Sequence, residues 1–243
     1  MEKGNLSKVK ILDKIRQYEK TGDMVCTDFL DPAEIIENKG VYSKVPHVLF
    51  GGFEDCERKI ILFGTDNIDD AKDVIRIIKI SSPKSLSHRE VLGSVLGLGI
   101  KRNVIGDIIV NDCIANVFVS SSIVKFIIQN LDKIGKERVK LEEISYEEII
   151  EKKEEYTEIK TTVASLRIDS AISACFGLSR GQSVELVENG RVKINYIECN
   201  SSSKQIHEND LISVRGFGRF IIEEILGETR KGRISIKLKI YKK

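Results

Sequence analysis

Residues 179–195 read SRGQSVELVENGRVKIN, and they contain the clearest helix and strand signals in the C-terminal third of the chain. Ser179, followed three residues later by Gln182, has the pattern of a capping box, in which two side chains satisfy free amides at the start of a helix. Apolar residues on one face continue the helix, and Gly190 ends it. The stretch therefore predicts a short helix with a sharp stop.

A β-strand is predicted directly after that helix, because apolar and polar residues alternate strictly there. Val192 and Ile194 are expected to face a core, so that Arg191, Lys193 and Asn195 share the opposite, exposed face. The strand therefore presents two cations and an amide on one surface.

The residues on either side complete a small domain. Upstream, Arg167-Ile168-Asp169 leads into another short helix, which a glycine stops. Downstream, Glu208-Asn209-Asp210 has the composition of a turn, in which Asn209 tolerates a left-handed conformation, and Leu211–Val214 is the next strand. Residues 161–243 are therefore predicted to form a domain of two short helices packed on a small sheet.

The charge distribution indicates a polyanionic partner for this domain. Residues 161–243 contain 14 Lys and Arg against 9 Asp and Glu, a net charge of +5, although the whole chain carries only +2. Residues 137–160 carry a net charge of −4, from 5 basic and 9 acidic side chains. A basic C-terminal third behind an acidic spacer fits a nucleic acid better than a neutral partner.

Two further domains are predicted before the basic one, which makes the whole chain an α+β protein. Residues 1–73 are expected to form a small N-terminal α+β domain. Its predicted elements are a helix over 5–20, a short helix from Asp31-Pro32 to Gly40, and strands over 45–53 and 59–63.

Residues 74–160 are predicted to form a central domain that ends in an acidic linker helix. Its predicted elements are a strand over 74–80, a helix from Ser87 with Glu90 completing a capping box, strands over 107–111 and 114–120, a helix over 123–134, a strand over 138–144 and the linker helix over 145–160. The order βαββαβ is the ferredoxin-like arrangement, which domains of the RNA-recognition-motif (RRM) type also use.

The basic C-terminal stretch Leu166–Phe220 resembles the RNA-binding domain named after small-subunit ribosomal protein four. The residues that carry the resemblance are Arg167-Ile168-Asp169, Ser179-Arg180, Glu188–Asn195 and Asn209–Val214. The chain departs from that pattern at Ser183, where the family usually has Ala, at Tyr196, where it often has Gly, and at Asn209, where Gly is usual.

The chain as a whole resembles the YlmH-like family of bacterial proteins. The segments that carry this resemblance are His88–Gly93, Leu96–Arg102, Ile105–Ile108 and Arg215–Phe220. The resemblance implies a ribosome-associated protein that binds ribosomal RNA and tRNA. It further implies a place on the large subunit near peptidyl-tRNA, during rescue of stalled translation products.

The candidate RNA-binding residues follow from these patterns. They are Arg167, Ser179, Arg180, Gln182, Arg191, Lys193, Asn195, Lys204, Arg215 and Arg219 in the last domain, and Arg89, Lys101 and Arg102 in the central domain. Arg180 at a helix start brings a guanidinium and free amides toward one phosphate. Arg167 could instead pair with Asp169, Lys204 could be a solvated surface cation, and Phe217 could stack a base or pack in the core.

No catalytic, metal or cofactor site is predicted. The five cysteines and three histidines are scattered, with no C-x-x-C pair, and neither a G-x-G-x-x-G nor a P-loop pattern occurs. The N-terminus lacks the apolar run of a signal peptide, so we expect a cytoplasmic monomer with no membrane or DNA partner. Two alternatives stay open: an RNA-modifying enzyme with this targeting domain, and a protein-interaction adaptor that works through residues 1–73.

Overall fold

The computed structural model describes residues 2–151 and 155–241, with side chains from residue 6 onward. The chain divides into two compact units, Met1–Lys153 and Glu154–Lys243. Residues 1–73 and the central βαββαβ elements therefore lie in one unit, where the sequence suggested separate domains. The mixture of helices and strands confirms the α+β class.

The N-terminal part of the first unit packs two helices on a small sheet. Its elements are α1 (Glu2–Thr21), β1 (Val25–Cys26), α2 (Pro32–Tyr42), β2 (His47–Phe50) and β3 (Ile60–Phe63), and the antiparallel strands lie in the order β1-β3-β2. Both predicted helices are confirmed, and the two predicted strands are present but shorter. Asp31 and Glu34 form a capping box at α2, and Pro32 occupies the first turn, where its missing N–H costs nothing.

The central part of the first unit has the predicted ferredoxin-like topology. Its elements are β4 (Ile75–Ser81), α3 (His88–Gly97), β5 (Ile105–Asn111), β6 (Ile114–Ser120), α4 (Val124–Asn130), β7 (Lys133–Ile134), β8 (Glu137–Arg138) and β9 (Lys140–Ile144). The four long strands pair antiparallel in the order β5-β6-β4-β9. The predicted capping box of Ser87 and Glu90 starts α3.

The predicted helix over 123–134 is wrong in its second half. Helix α4 ends at Asn130, and the short hairpin of β7 and β8 follows. Leu131 and Ile134 are both buried in the core between the central sheet and helices α3 and α4. Their three-residue spacing therefore resembles one face of a helix. Gly135 takes the positive φ of 59° that a two-residue hairpin turn requires at its first position.

Both faces of the central sheet are buried. Alternate side chains such as Ile78 and Val117 pack against helices α3 and α4 in one core cluster. Those that point the other way, such as Ile77 and Phe118, pack against Phe29 and other side chains of the N-terminal part in a second cluster. This shared core joins residues 1–73 to the central domain.

The predicted linker helix over 145–160 is wrong. Residues Tyr146–Glu148 form one turn of 3-10 helix, and Tyr156–Val163 is strand β10, while residues 152–154 lie outside the described residues. Composition favoured a helix, and the four-residue spacing of Ile159 and Val163, which both contact the core from β10, fits a helix as well as a strand. Strand β10 therefore belongs to the second unit and begins before residue 161.

The second unit has two short helices on one sheet, as predicted. Its remaining elements are α5 (Ile168–Phe176), α6 (Arg180–Glu188), β11 (Val192–Ile194), β12 (Ile197–Glu198), β13 (Leu211–Val214), β14 (Gly218–Glu228) and β15 (Ile234–Tyr241). The sheet has six strands in the order β10-β15-β14-β13-β11-β12. Asn195 and Tyr196 both have positive φ, 48° and 69°, which a two-residue turn of type I′ requires. Asn209 is left-handed as predicted, at φ 67°.

We predict that Gly106→Ala destabilises the first unit. A Cβ at Gly106 would lie 2.6 Å from the Phe29 ring and 3.2 Å from the Phe118 Cβ, so the two layers would have to move apart. Overpacking of this kind costs about 1–3 kcal/mol. Urea unfolding followed by circular dichroism measures this cost.

The matched control is Gly93→Ala in α3, where the added methyl meets no atom within 4 Å. Alanine in a helix stabilises by roughly 0.5–1 kcal/mol relative to glycine, so the two variants should shift in opposite directions. Equal midpoints for Gly106→Ala and the wild type would contradict the close packing of the two layers.

Candidate nucleic-acid interface

A buried carboxylate holds two of the predicted arginines together. Asp169, in the first turn of α5, is fully buried. Its Oδ1 accepts from the Nε of Arg167 at 3.2 Å, and its Oδ2 accepts from the Nε of Arg180 at 3.2 Å. The predicted alternative for Arg167, an ion pair with Asp169, is therefore present. The side chain of Arg180 is 70% exposed. Asp169 therefore holds its guanidinium in place on the buried side, while the rest of the group is open to solvent.

The capping box of α6 sets the position of Arg180. The Oγ of Ser179 accepts from the amide of Gln182 at 3.2 Å, and the Oε1 of Gln182 accepts from the amide of Ser179 at 2.9 Å. Both side chains are thus engaged within the helix cap. Their direct role is to fix the helix start, where the positive end of the helix dipole lies beside Arg180.

A groove on the sheet collects four more of the predicted residues. Its volume is about 530 Å³. The lining residues are Gly190, Arg191, Lys193, Ser213, Val214, Arg215, Gly216, Gly218 and Arg219. The strand register places Lys193, Ser213 and Arg219 in one row across β11, β13 and β14. The predicted exposed face is therefore present for Lys193 and extends over three strands, but the predicted strand is shorter, and Asn195 lies in the turn that follows β11.

Arg191 organises one wall of this groove. Its Nη2 donates to the carbonyl of Arg215 at 2.9 Å, and its own carbonyl accepts from the amide of Arg215 at 2.8 Å. Gly216, at φ 92°, lies close enough that a Cβ there would be 3.0 Å from the same Nη2. Arg191 also lines a second small cavity with Gln182, so the groove continues toward the start of α6.

The remaining cations of the groove differ in their partners. The Arg219 guanidinium lies over the Tyr241 ring, 5.9 Å from its centroid, within the range of a cation–π contact. Lys193 and Arg215 are exposed, and no carboxylate among residues 2–151 and 155–241 pairs with either side chain. These two side chains can therefore meet an anion without first breaking an ion pair.

Asn195 and Lys204 have different surroundings. The amide of Asn195 donates to Asp210 at 2.7 Å and accepts from the Leu211 backbone at 2.9 Å, so it is engaged in the adjoining turn. Lys204 is exposed in the loop before Ile206, and its carbonyl accepts from the Ile168 amide at 3.0 Å. The structure thus gives Asn195 an internal role and leaves the Lys204 side chain on the surface.

The opposite end of the same sheet is charge-balanced. Lys237 pairs with Glu158 at 2.7 Å and with Glu223 at 3.0 Å, and these hydrogen bonds raise the pKa of Lys237. Lys239 also contacts Glu223.

Phe217 packs against Phe176 at the edge of the core, with ring centroids 5.6 Å apart. Of the two roles foreseen for this ring, the structure shows core packing.

The three predicted cations of the central domain are not brought together. Arg89 is exposed in the first turn of α3, whereas Lys101 and Arg102 follow its far end, about 15 Å away for a helix of this length. Arg102 points inward and donates to the carbonyl of Gly106 at 3.0 Å, and burial lowers its pKa. Its surface role in phosphate contact is not supported by this position.

Arg102 belongs to a cavity of about 560 Å³ in the first unit, which it shares with Arg58. Arg58 donates to the carbonyls of Phe29 and Ile105 and pairs with Asp31, and burial lowers its pKa to about 10. Both guanidinium groups are thus engaged within the unit, by backbone carbonyls and, for Arg58, by Asp31.

A basic surface around the hairpin of β7 and β8 was missed by the sequence analysis, because residues 123–134 were predicted to be a helix. Lys133, Lys136, Arg138 and Lys140 are exposed on and beside the hairpin of β7 and β8. The sequence signal was four cations within eight residues around a Gly-Lys turn. We call residues 133–140 the basic hairpin segment.

Two structural observations concern other ligand classes. Within the described part of the chain, no three His, Cys, Asp or Glu side chains are grouped to hold a metal ion, and the five cysteines are free. None of the helices in residues 2–151 and 155–241 combines the length and apolar character needed to cross a bilayer.

Comparison with known families identifies two domains. A family model described as "Putative RNA-binding domain in YlmH" matches residues 71–148. A second model, described as "S4 domain", matches residues 166–212. The first covers the ferredoxin-like elements, and the second covers α5, α6, Arg191 and strand β11, which carries Lys193.

Two known proteins resemble larger parts of the chain. "Ribosome-associated protein quality control protein P2" of Bacillus subtilis (strain 168) is 32% identical over 217 residues, which is 86% of this chain and 84% of that protein. The solved structure of "Cell division protein ylmH from Streptococcus pneumoniae" is 22% identical, with a TM-score of 0.54, and covers 62% of this chain and 96% of that one. The solved structure supports the fold.

We predict that Asp169→Asn lowers the free energy of unfolding by about 1–3 kcal/mol, because charged hydrogen bonds to a buried acceptor are lost. Arg180→Gln should cost less than about 1 kcal/mol, since most of that side chain is exposed. Combining the two should cost less than their sum, because they share one interaction.

Urea unfolding of the two single variants and the double variant measures this coupling. Glu185→Gln, an exposed change on α6, is the control for loss of a carboxylate. Strict additivity of Asp169→Asn and Arg180→Gln would show that the ion pair contributes nothing to stability.

Proposed function

This chain belongs to the YlmH family of ribosome-associated RNA-binding proteins, and from that premise we propose that it binds structured ribosomal RNA and tRNA on the large ribosomal subunit. The proposed role is the rescue of stalled translation near peptidyl-tRNA, performed in the cytoplasm by a single chain. The observation that carries the proposal is a set of exposed cations on the second unit, chiefly Lys193 and Arg215, that pair with no carboxylate among residues 2–151 and 155–241.

Unpaired surface cations favour a phosphate backbone. Each phosphate neutralised by Lys or Arg releases a condensed counterion, and this release supplies most of the salt-dependent affinity. Arg180 adds a guanidinium that Asp169 holds in place, so less side-chain entropy is lost on binding. The ion pairs of Lys237 would have to break before it could do the same.

The surroundings of the aromatic side chains support recognition of folded RNA by shape. Proteins usually bind single-stranded RNA through aromatic side chains that stack on its bases. Here Phe118 and Phe220 are fully buried, and Phe217 packs against Phe176. Phe126 and Tyr156 are exposed, but they lie in different units, and Lys239 covers the Tyr156 ring at 4.1 Å. Phosphate contacts without such a platform are typical of domains that read the shape of a structured RNA.

A binding role without catalysis is part of the proposal. An enzyme of this class would need convergent titratable groups in an open pocket. In the 560 Å³ cavity of the first unit, Arg58 and Arg102 are directed to backbone carbonyls, Asp31 pairs with Arg58, and Asp28 accepts from Asn103 at 2.6 Å. Groups engaged in this way support a structural function for the cavity.

A second candidate function is protein contact through residues 1–73. Five of the eight exposed large apolar side chains of the described residues lie in that segment: Leu6, Val9, Met24, Ile36 and Ile68. Leu6 and Val9 lie three residues apart on α1 and are therefore neighbours on that helix, and neighbouring apolar exposure favours a protein partner in addition to RNA.

We predict that Lys193→Gln with Arg215→Gln weakens binding to purified large ribosomal subunits. Loss of two phosphate contacts should flatten the dependence of log affinity on log salt by roughly 1.4–1.8. Sucrose-gradient cosedimentation over a range of KCl concentrations measures the effect. Arg191 is left unchanged because it holds the loop of Arg215.

The matched control is Arg230→Gln with Lys231→Gln, two exposed cations in the turn between β14 and β15, which should bind like the wild type. Equal sedimentation of both double variants would mean that the groove is not the RNA surface. A wild-type chain that stays at the top of a low-salt gradient would contradict the ribosomal role itself.

A further inference from the structure

We propose that the basic hairpin segment, residues 133–140, is the RNA-contacting surface of the central domain and binds the phosphates of a folded RNA. The inference rests on the proposed function and adds to it a second surface, separate from the groove of the second unit. It assigns RNA contact to a hairpin beside the central sheet, whereas the RRM-type arrangement would place it on the sheet itself.

The sheet face that RRM-type domains offer to RNA is closed in this protein. Such domains stack bases on aromatic side chains of the sheet. Phe118, the aromatic residue in the middle of β6, is fully buried and lies 5.0 Å from the ring of Phe53. Phe29 and Phe50 of the N-terminal part cover the same face. RNA contact by this domain must therefore use an edge, a helix or a hairpin.

The hairpin is anchored so that its cations point outward. Ile134 is buried in the core cluster beneath α3 and α4, and Val139 packs against the same cluster. Lys133 and Arg138 are directly paired across the two strands, and both are exposed. Alternation therefore places these two cations on the side opposite to the anchor. Lys136 is exposed in the turn itself.

The pairing of Lys133 with Arg138 is electrostatically unfavourable in the free protein. Like charges directly opposite each other in an antiparallel pair destabilise it. Glu137, the carboxylate within the hairpin, forms an ion pair with Lys84 at 2.5 Å. Its negative charge is therefore balanced by Lys84 and not by Lys133 or Arg138. The neighbouring Asp132 is exposed, and among the described residues it forms no ion pair with Lys133.

An anion bound at the hairpin would relieve this repulsion. Arg138 and Lys140 are both exposed on either side of Val139, which packs against the core, so the two cations are close neighbours along the chain. With Lys133 and Lys136 they form a row of positive charge, and a row suits successive phosphates of a nucleic-acid backbone better than one isolated anion.

The test replaces Lys133, Lys136 and Arg138 together by Gln in the full-length chain. The control replaces Lys20, Lys39 and Lys44 by Gln, three exposed cations of the N-terminal part, so that net charge falls equally. Binding is measured at several KCl concentrations to deproteinised ribosomal RNA of the large subunit and to intact large subunits. Thermal unfolding of each variant is recorded in parallel.

We expect the hairpin variant to bind both probes at least tenfold more weakly at low salt. The slope of log affinity against log salt should fall by about 2, or roughly 0.7 for each of three contacts. Its melting temperature should not fall below that of the control, because the substitutions remove a repulsion. Loss of binding together with intact stability supports the assignment.

The other outcomes overturn the assignment in distinguishable ways. If the hairpin variant binds like its control while Lys193→Gln with Arg215→Gln has lost binding, the hairpin is not an RNA surface and the proposed function stands. If binding is lost for intact subunits but kept for deproteinised RNA, the hairpin contacts a ribosomal protein. If the wild type binds neither probe, the proposed function fails and the hairpin assignment fails with it.

Discussion

The first unit depends on the burial of both faces of its central sheet. A four-stranded antiparallel sheet commonly leaves one face to solvent, and in RRM-type domains that face reads RNA. In this chain the N-terminal part covers it, and Gly106 lets the ring of Phe29 and the Cβ of Phe118 approach the backbone. Apolar burial on both sides stabilises the unit, and the same burial removes the stacking surface. The proposed nucleic-acid contacts therefore fall on charged side chains at the periphery.

The cations of the protein divide into those engaged within the chain and those left exposed. Arg58 and Arg102 donate to backbone carbonyls, and burial lowers the pKa of each. Arg167 is drawn to Asp169, while Lys193 and Arg215 have no such partner among the described residues. A positive charge with no internal partner contributes little to folding and repels its neighbours. Its free-energy benefit arises when an anion binds, so exposure without pairing is the more informative sign of function.

Local sequence signals predicted the elements that local interactions control. The capping boxes of Ser87 and Ser179, the stop at Gly190 and the βαββαβ order all follow from residues a few positions apart. Strand β10 was missed because its partner, β15, lies more than seventy residues further along the chain. Pairing over that separation leaves little local pattern in the sequence, here only the spacing of Ile159 and Val163.

The candidate site was predictable in composition but not in the engagement of its side chains. Arg180 and Arg191 stand where the sequence placed them, yet the amide of Asn195 is engaged by Asp210, and Arg102 points into the interior. A sequence shows which residues carry charge. The competition of backbone carbonyls and carboxylates for that charge depends on distances that only the folded chain sets.

Two basic surfaces on one chain have a consequence that neither has alone. Each offers only a few phosphate contacts, so each by itself binds weakly at physiological salt. When one surface has bound, the other is confined near the same RNA. Its effective concentration there rises to the millimolar range if both surfaces can reach that RNA. Affinity then depends on the geometry of the target as well as on its charge. A folded RNA that presents both sets of phosphates at the right separation is selected over one that presents either alone, and in this way contacts that carry no sequence information can still discriminate among RNAs.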